Sequence, residues 1–190
     1  MGKRKRLYRL AFCAGLLLQL GCTAFLPSAR DIVESPWHSY AEAKGAFDRI
    51  VVDKTTIEDL KGLGFDVATT PNVKVLSYLD VAAMVQPIPI ADLDPGLQTC
   101  LRARENCRAF IFEPQRTYTK RIGSFWLDVL NFRRRSHETG WRFKALIVFV
   151  DHHVAYKLSS GDPQINHFRD QRNPLGPLQD PAGLVYRAIP

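Results

Sequence analysis

The feature that most constrains the fold is a strand-turn-strand pattern in the second half of the chain. Residues 141–150, WRFKALIVFV, alternate so that one face of a strand carries Phe143, Ala145, Ile147 and Phe149. The opposite face begins polar and turns apolar from Leu146 onwards. Asp151-His152-His153 is typical of a tight turn, after which residues 154–158 return as the partner strand. The pattern therefore predicts an antiparallel hairpin.

Two further segments of the second half are predicted to be strands. Residues 108–113 and 116–121 are rich in aromatic and β-branched side chains. After Gly161 the chain becomes polar and rich in proline, and residues 161–190 are expected to form an irregular tail.

The first half is predicted to begin with two helices. In residues 37–50 a helical face is formed by Trp37, Tyr40, Ala41, Lys44 and Phe47. Thr55 and Glu58 have the spacing of a capping box, in which each side chain accepts the other residue's backbone N–H. A short helix is therefore expected from Ile57 to about Lys61, before Gly62 and Gly64.

Residues 66–107 are predicted to hold an extra helix between the helix pair and the sheet. Residues 72–79 read as a strand or an irregular extended segment, and residues 87–95 as a connector with three prolines. Asp94 is the expected cap of the inserted helix, with Pro95 in its first turn. The fold class is thus α+β: two N-terminal helices packed on a small antiparallel β-sheet, with an inserted helix and an irregular C-terminal tail.

The N-terminus has the parts of an export signal. A basic start is followed by an apolar run at residues 10–20 and by Gly21. A helix that spans ~30 Å of hydrocarbon needs about 20 residues, so this run is too short to be favoured as a membrane span. Residues 1–21 contain five of the basic residues and no acid; the remaining 21 basic and 19 acidic residues give +2 instead of +7. This near balance gives no reason to expect a nucleic-acid partner.

The sequence Leu-Gly-Cys at residues 20–22 resembles the lipobox of bacterial lipoprotein signals. The resemblance implies that residues 1–21 are a signal peptide cut before Cys22, which then carries the lipid. Cleavage by an ordinary signal peptidase is the alternative. Several acyl chains at one terminus give stable anchoring, whereas a single chain is marginal. Thr23, which follows the cysteine, implies by the same resemblance an outer-membrane location facing the periplasm, and residues 22–36 read as a tether.

Two cysteines remain beyond the anchor, Cys100 and Cys107. An exported protein is in an oxidising compartment where they can pair. On an unbroken helix their separation would be ~10.5 Å, too far for a disulfide. Either the helix ends near Arg104 and the chain folds back, or both thiols stay free; we favour the bridge. A linked peptide in mass spectrometry without reduction would support it.

The order of these elements resembles the SmpA/OmlA (BamE-like) family of small outer-membrane lipoproteins, and the chain also resembles a group of uncharacterised proteobacterial lipoproteins. The resemblance is carried by residues 50–64, IVVDKTTIEDLKGLG, and by the hairpin at 146–158. It implies a BamE-like α+β domain over residues 37–160, with the insertion at about 66–107. It also implies a docking or accessory role in outer-membrane assembly or integrity, with an envelope protein as partner.

No arrangement of residues in the sequence points to catalysis. There is no phosphate-binding loop, nucleophile motif or metal-ligand spacing, so we expect no enzymatic activity, no cofactor and no metal site. His152 and His153 are neighbours and would point to opposite faces of a strand, so we expect turn residues in solvent.

One segment is a candidate for contact with a membrane or a partner. Residues 123–132 are predicted to form a short amphipathic helix that carries Phe125 and Trp126, and Arg133, Arg134 and Arg135 follow it. Aromatic and basic side chains together can sit at an anionic lipid surface. The alternative is that the aromatic residues belong to the core and the arginines to a solvated turn. For the whole chain, the alternative to docking is a periplasmic lipoprotein that binds a small ligand or lipid.

Overall fold

The computed structural model of the chain describes residues 26–176. The predicted signal peptide, Cys22 and the last part of the predicted tail lie outside these residues. The helices and strands, in chain order, are β1 (Ser28–Ile32), α1 (Tyr40–Asp48), α2 (Ile57–Gly62), β2 (Lys74–Ser77), α3 (Tyr78–Val85), α4 (Pro95–Ala103), β3 (Cys107–Phe112), β4 (Gln115–Arg121), α5 (Phe125–Val129), β5 (Arg133–Val150) and β6 (His153–Arg172). Short 3₁₀ turns at Ile90–Asp92 and Arg104–Asn106 flank α4.

The six strands form one antiparallel sheet, so the predicted α+β class is confirmed. The strand order is β1-β4-β5-β3-β2, and β6 pairs with β5. In the central pair, Cys107 lies opposite Val150 and Phe112 opposite Ala145. The hairpin turn consists of Asp151 and His152, both at positive φ, and His153 already begins β6.

The prediction of an irregular tail from residue 161 is wrong, because β6 continues to Arg172. Its partner β5 begins at Arg133, whereas the sequence indicated a start at Trp141. Gly161 lies inside β6 with a φ of 142°, and a Cβ there would be 2.2 Å from the carbonyl oxygen of Arg142. Glycine thus permits a close strand approach here, where the sequence suggested a break.

The described residues group into two compact units. The first contains residues 26–29, 119–138 and 167–176, and the second contains residues 30–118 and 139–166. Residues 28–32, expected to belong to the tether, form strand β1.

The second unit has a hydrophobic core on each face of its part of the sheet. On one face α1 and α2 pack against Phe143, Ala145, Ile147 and Phe149, the four residues predicted to share a face. On the other face α3 and α4 cover Val148, together with the partly buried Leu146 and Val150. The apolar residues from Leu146 onwards on this second face of β5 are thus explained, because the 66–107 segment covers them.

Capping residues fix where the helices of the second unit begin. The capping box of α2 is formed by Thr56 and Asp59, so the prediction of Thr55 and Glu58 is wrong by one residue. Thr55 is buried, and its hydroxyl accepts the Val51 N–H at 2.8 Å. Helix α3 was not predicted. It starts with a second capping box, Ser77 and Asp80, directly after β2.

Helix α4 begins as expected, with Asp94 as its cap and Pro95 in the first turn. It ends at Ala103, and Arg104 follows at a φ of 50°, which turns the chain back towards β3. The structure contains a disulfide between Cys100 and Cys107, with the Cα atoms 5.0 Å apart. Both residues are buried in the core under α3 and α4.

Candidate contact surface on a short apolar helix

Helix α5 of the first unit lies in the segment predicted to contain a short helix. Gly123, at a φ of 113°, precedes it, and Asn131, at a φ of 58°, follows it. The Phe132 N–H donates to the Leu127 carbonyl oxygen at 2.9 Å, which closes the last turn. A left-handed residue just after the last turn is a common way for a helix to end.

The side chains of α5 and the turn after it are arranged opposite to those of an ordinary surface helix. The large apolar side chains are exposed by 39% to 56%, and they belong to Trp126, Leu127, Val129, Leu130 and Phe132. The acid of the same helix, Asp128, is 4% exposed. Phe125 is half-buried, and its ring meets that of Trp126 edge-on at 5.4 Å. Contiguous exposed apolar side chains mark interaction sites.

Asp128 holds the helix in this orientation. Its Oδ1 atom accepts a hydrogen bond from Nη1 of Arg121 at 2.7 Å, and Arg121 lies at the end of β4. The Asp128 N–H also donates to the Ser124 carbonyl oxygen at 3.1 Å. Arg121 thus pairs with one oxygen of the buried carboxylate and offsets part of its desolvation, whereas Oδ2 is buried with no hydrogen-bond partner among the described residues. The inward acid therefore directs the apolar side chains of α5 outwards.

The three arginines after α5 differ in their surroundings. Arg133 donates to both carboxylate oxygens of Asp170, at 3.0 and 2.6 Å. These hydrogen bonds lower the pKa of Asp170 and raise that of Arg133. Arg135 and Arg172 approach the same carboxylate at 3.8 Å. Arg134 is exposed and has no ion pair within residues 26–176.

The first unit carries a surplus of positive charge around the apolar helix. Its described acids are Asp128, Glu138 and Asp170, and its described basic residues are Lys120, Arg121, Arg133, Arg134, Arg135, Arg169 and Arg172. Two more apolar side chains of this unit, Phe168 and Leu175, are exposed by 65% and 60%. The unit thus combines exposed apolar side chains with a surplus of basic ones. We call the following set the α5 surface: Trp126, Leu127, Val129, Leu130, Phe132 and Arg134.

The predicted contact residues differ in the structure: some are exposed, and others are held in ion pairs within the first unit. Trp126 is exposed on α5 and Arg134 is exposed after it, whereas Arg133 is engaged with Asp170. Neither the exposure of Val129 nor the burial of Asp128 was predicted from the sequence. The sequence held one signal for this orientation, which is that Asp128 is the single acid among the apolar residues of α5. Such an acid either faces water or pairs with a cationic side chain.

A separate concave site lies in the second unit, beside the hairpin turn. A cavity of about 310 Å³ has an apolar floor from Ile57, Phe110 and Phe149. Its rim is polar and is formed by Glu105, Asn106, Arg108, Asp151 and His152. Two of these rim residues, Glu105 and Asn106, lie in the 66–107 segment.

Neither a membrane span nor a metal centre is found in the part of the chain that the structure describes. None of the helices there is long and apolar enough to cross a bilayer. No cluster of three or more His, Cys, Asp or Glu residues among residues 26–176 could hold a metal ion. His152 lies in the hairpin turn, and both histidines are exposed; the prediction of His153 as a turn residue is wrong, because it is the first residue of β6.

Comparison with known proteins adds no assignment. No protein-family model, no curated protein and no solved structure matches the chain.

Proposed function

We propose that this chain is a lipid-anchored envelope protein of the outer membrane, facing the periplasm, and that it acts without catalysis as a docking or accessory factor in outer-membrane assembly or integrity. The lipobox resemblance at Cys22 supports the anchor. The resemblance to SmpA/OmlA proteins supports the role, and in that reading α1 and α2 are the helix pair that packs on the sheet.

One observation carries the docking part of this proposal. Helix α5 exposes Trp126, Leu127 and Val129 while its only acid is buried against Arg121. Exposing apolar side chains to water is unfavourable by ~25 cal/mol for each Å². A helix held in that orientation by a buried ion pair is suited to contact with another surface. We therefore propose that the protein acts by binding another surface and not by catalysing a reaction.

The test combines anchor, contact and phenotype in cells. Metabolic labelling with a palmitate analogue should label the chain, and a Cys22→Ser variant should lose the label. A photo-crosslinking residue at Leu127 should give adducts with envelope components, whereas one at Leu79, which is 63% exposed in the second unit, serves as the matched control. Deletion of the chain should lower outer-membrane protein levels or raise detergent sensitivity. An unlabelled chain together with an unchanged envelope after deletion would overturn the proposal.

The second candidate function is binding of a small ligand or lipid, and the cavity beside the hairpin turn favours it. Its volume of about 310 Å³ is at the small end of ligand sites, and its lining combines three apolar side chains with five polar ones that could orient a ligand. Native mass spectrometry of protein purified from cells would show an added mass. A Phe110→Ala variant should lose that mass, and a matched Tyr118→Ala variant, whose ring is 38% exposed and outside the cavity, should keep it.

A further inference from the structure

The chain segment between the proposed lipid and the folded protein is much shorter than the 15-residue tether suggested by the sequence. Leu26 is 8% exposed and therefore already buried. The Pro27 carbonyl oxygen accepts the Arg121 N–H at 3.2 Å, within the same unit. Only four peptide steps join Cys22 to Leu26, and a fully extended chain of that length spans at most about 14 Å.

This length places the first unit next to the bilayer whenever Cys22 carries lipid. Residues 26–29 belong to the same unit as α5 and the arginines that follow it. The unit that this short segment joins to the lipid is thus the one that exposes Trp126 and its apolar neighbours. Its surplus of positive charge complements an anionic headgroup layer.

The exposed side chains of α5 are better suited to a bilayer interface than to water. Tryptophan sits at headgroup level, where its ring meets hydrocarbon and its N–H meets water. Leu127, Val129 and Leu130 can enter the acyl boundary, where interfacial helices bury their apolar face by ~5–10 Å. Arg134, two residues after Phe132, is exposed, has no carboxylate partner within residues 26–176 and is available to a phosphate group.

We propose that the α5 surface inserts into the headgroup layer of an anionic bilayer, so that the protein is held to the membrane at two points, the lipid on Cys22 and helix α5. This inference rests on the proposed function for the anchor and names the partner of the same site. The second point fixes which side of the first unit faces the membrane.

The protein carries its own probe for this contact. Of its three tryptophans, Trp37 and Trp141 are 6% and 7% exposed, whereas Trp126 is 56% exposed. The acylated full chain is reconstituted into phosphatidylglycerol or phosphatidylcholine vesicles whose acyl chains carry bromine, a contact quencher of tryptophan. We expect bromine to quench Trp126, more strongly in phosphatidylglycerol. A Trp126→Phe variant should lose this quenching, because the two buried indoles are out of reach.

Charge is tested with a matched pair of variants. Arg134→Gln should shift the contact equilibrium towards water by about fivefold in phosphatidylglycerol vesicles. Lys54→Gln removes the same charge from an exposed position of the second unit and should leave the quenching unchanged. Equal effects of the two variants would contradict a specific role for the α5 surface.

The outcomes separate the inference from the anchor. If the mass of the N-terminal peptide shows an acylated Cys22 while bromine leaves Trp126 unquenched, the inference is overturned and the anchor stands. If Trp126 is shielded from both bromine and acrylamide, a protein covers the surface and the inference is again overturned. If Cys22 is not acylated but anionic vesicles still quench Trp126, the anchor fails and the α5 contact stands on its own.

Discussion

Asp128 and Trp126 are two positions apart in α5, and their burial is the reverse of what their side chains would normally favour. The acid is buried and paired with Arg121, and the indole is exposed. The energetic cost of the exposed apolar group is small beside that of a buried carboxylate left without a partner. The ion pair therefore decides which way this short helix faces.

Replacing Asp128 by Ala should destabilise the protein more than a change at an exposed ion pair. The variant removes a charged hydrogen bond at a buried site, and we expect a loss of about 2 kcal/mol in the free energy of unfolding. Chemical denaturation measures it. Asp170→Ala is the matched comparison, because that carboxylate is 37% exposed and its pairing with Arg133 is screened by solvent. A larger loss at Asp170 than at Asp128 would contradict the role given to the buried pair.

At the scale of helices and strands, two capping boxes make acid stability depend on particular carboxylates. Backbone and side-chain hydrogen bonds from Thr56 hold the pKa of Asp59 below its ordinary value of 3.8. Hydrogen bonds from the Ser77 side chain and backbone do the same for Asp80. Both carboxylates have a lower pKa in the folded state, so their contribution is present above that ordinary value and is lost as pH falls through the lowered pKa.

The double variant Asp59→Asn, Asp80→Asn should therefore show a flatter fall of unfolding free energy below about pH 4 than the natural chain. The measurement is urea denaturation at a series of pH values. Asp92→Asn is the control, because the exposed Asp92 side chain makes no hydrogen bond within the described residues. An unchanged slope in the double variant would show that other acids dominate.

The disulfide joins the end of α4 to the start of β3. It closes a loop across a sequence separation of seven, and the chain-entropy relation for that length gives about 2.5 kcal/mol. Cys100→Ser, Cys107→Ser should lower the unfolding free energy by about that amount. Reductant should lower the stability of the natural chain similarly and leave the variant unaffected. A natural chain indifferent to reductant would mean that the bridge adds no stability.

Helix α4 packs closely against β6 at Gly96. A Cβ on Gly96 would lie 1.9 Å from the carbonyl oxygen of Ala155, so Gly96→Ala should force the helix away from the strand. We expect a loss of about 1–3 kcal/mol in unfolding free energy. Gly45→Ala in α1 is the control, since no atom lies within 4 Å of its Cβ position. That change should stabilise the helix by up to about 1 kcal/mol, and a loss similar to that of Gly96→Ala would refute the packing argument.

Some of these helices and strands could be predicted from the sequence and others could not, and the reasons are physical. The hairpin was predictable, because its buried alternation spans ten residues. Helix α3 was not, because Val-Leu-Ser-Tyr-Leu reads equally well as extended chain and only Ser77 and Asp80 mark the helix start. The short helix that carries Trp126 was also predictable, whereas its contact role stays a prediction. The orientation of this helix was not predictable, because it depends on Arg121, seven positions from Asp128 and on another element.

At the scale of the whole molecule, the 66–107 segment explains how a small sheet is stabilised. A sheet with one covered face would leave Leu146, Val148 and Val150 in water. The 66–107 segment supplies α3 and α4, which bury this second face, and the disulfide lies within the same cluster. The 66–107 segment is therefore part of the core of the second unit.

The proposed anchor predicts how the protein behaves in membrane fractions. The natural chain should stay with the membranes after washes with high salt and with carbonate, because several acyl chains bind nearly irreversibly and independently of charge. A Leu127→Ser, Leu130→Ser variant should also stay, since the lipid is unaffected. Immunoblots of pellet and supernatant measure this. Release of the natural chain by salt alone would contradict acylation.

The burial of Leu26 has a further consequence for how such a protein would meet its partner. If Cys22 carries lipid, the four peptide steps to Leu26 keep the first unit close to the bilayer, and the search for a partner is then confined to the membrane surface. Confinement of this kind raises the effective concentration of any partner held in the same membrane, and it does so without adding a single contact. Lengthening the segment between Cys22 and Leu26 with flexible residues would let the protein move further from the membrane and would lower its effective concentration near a membrane-bound partner.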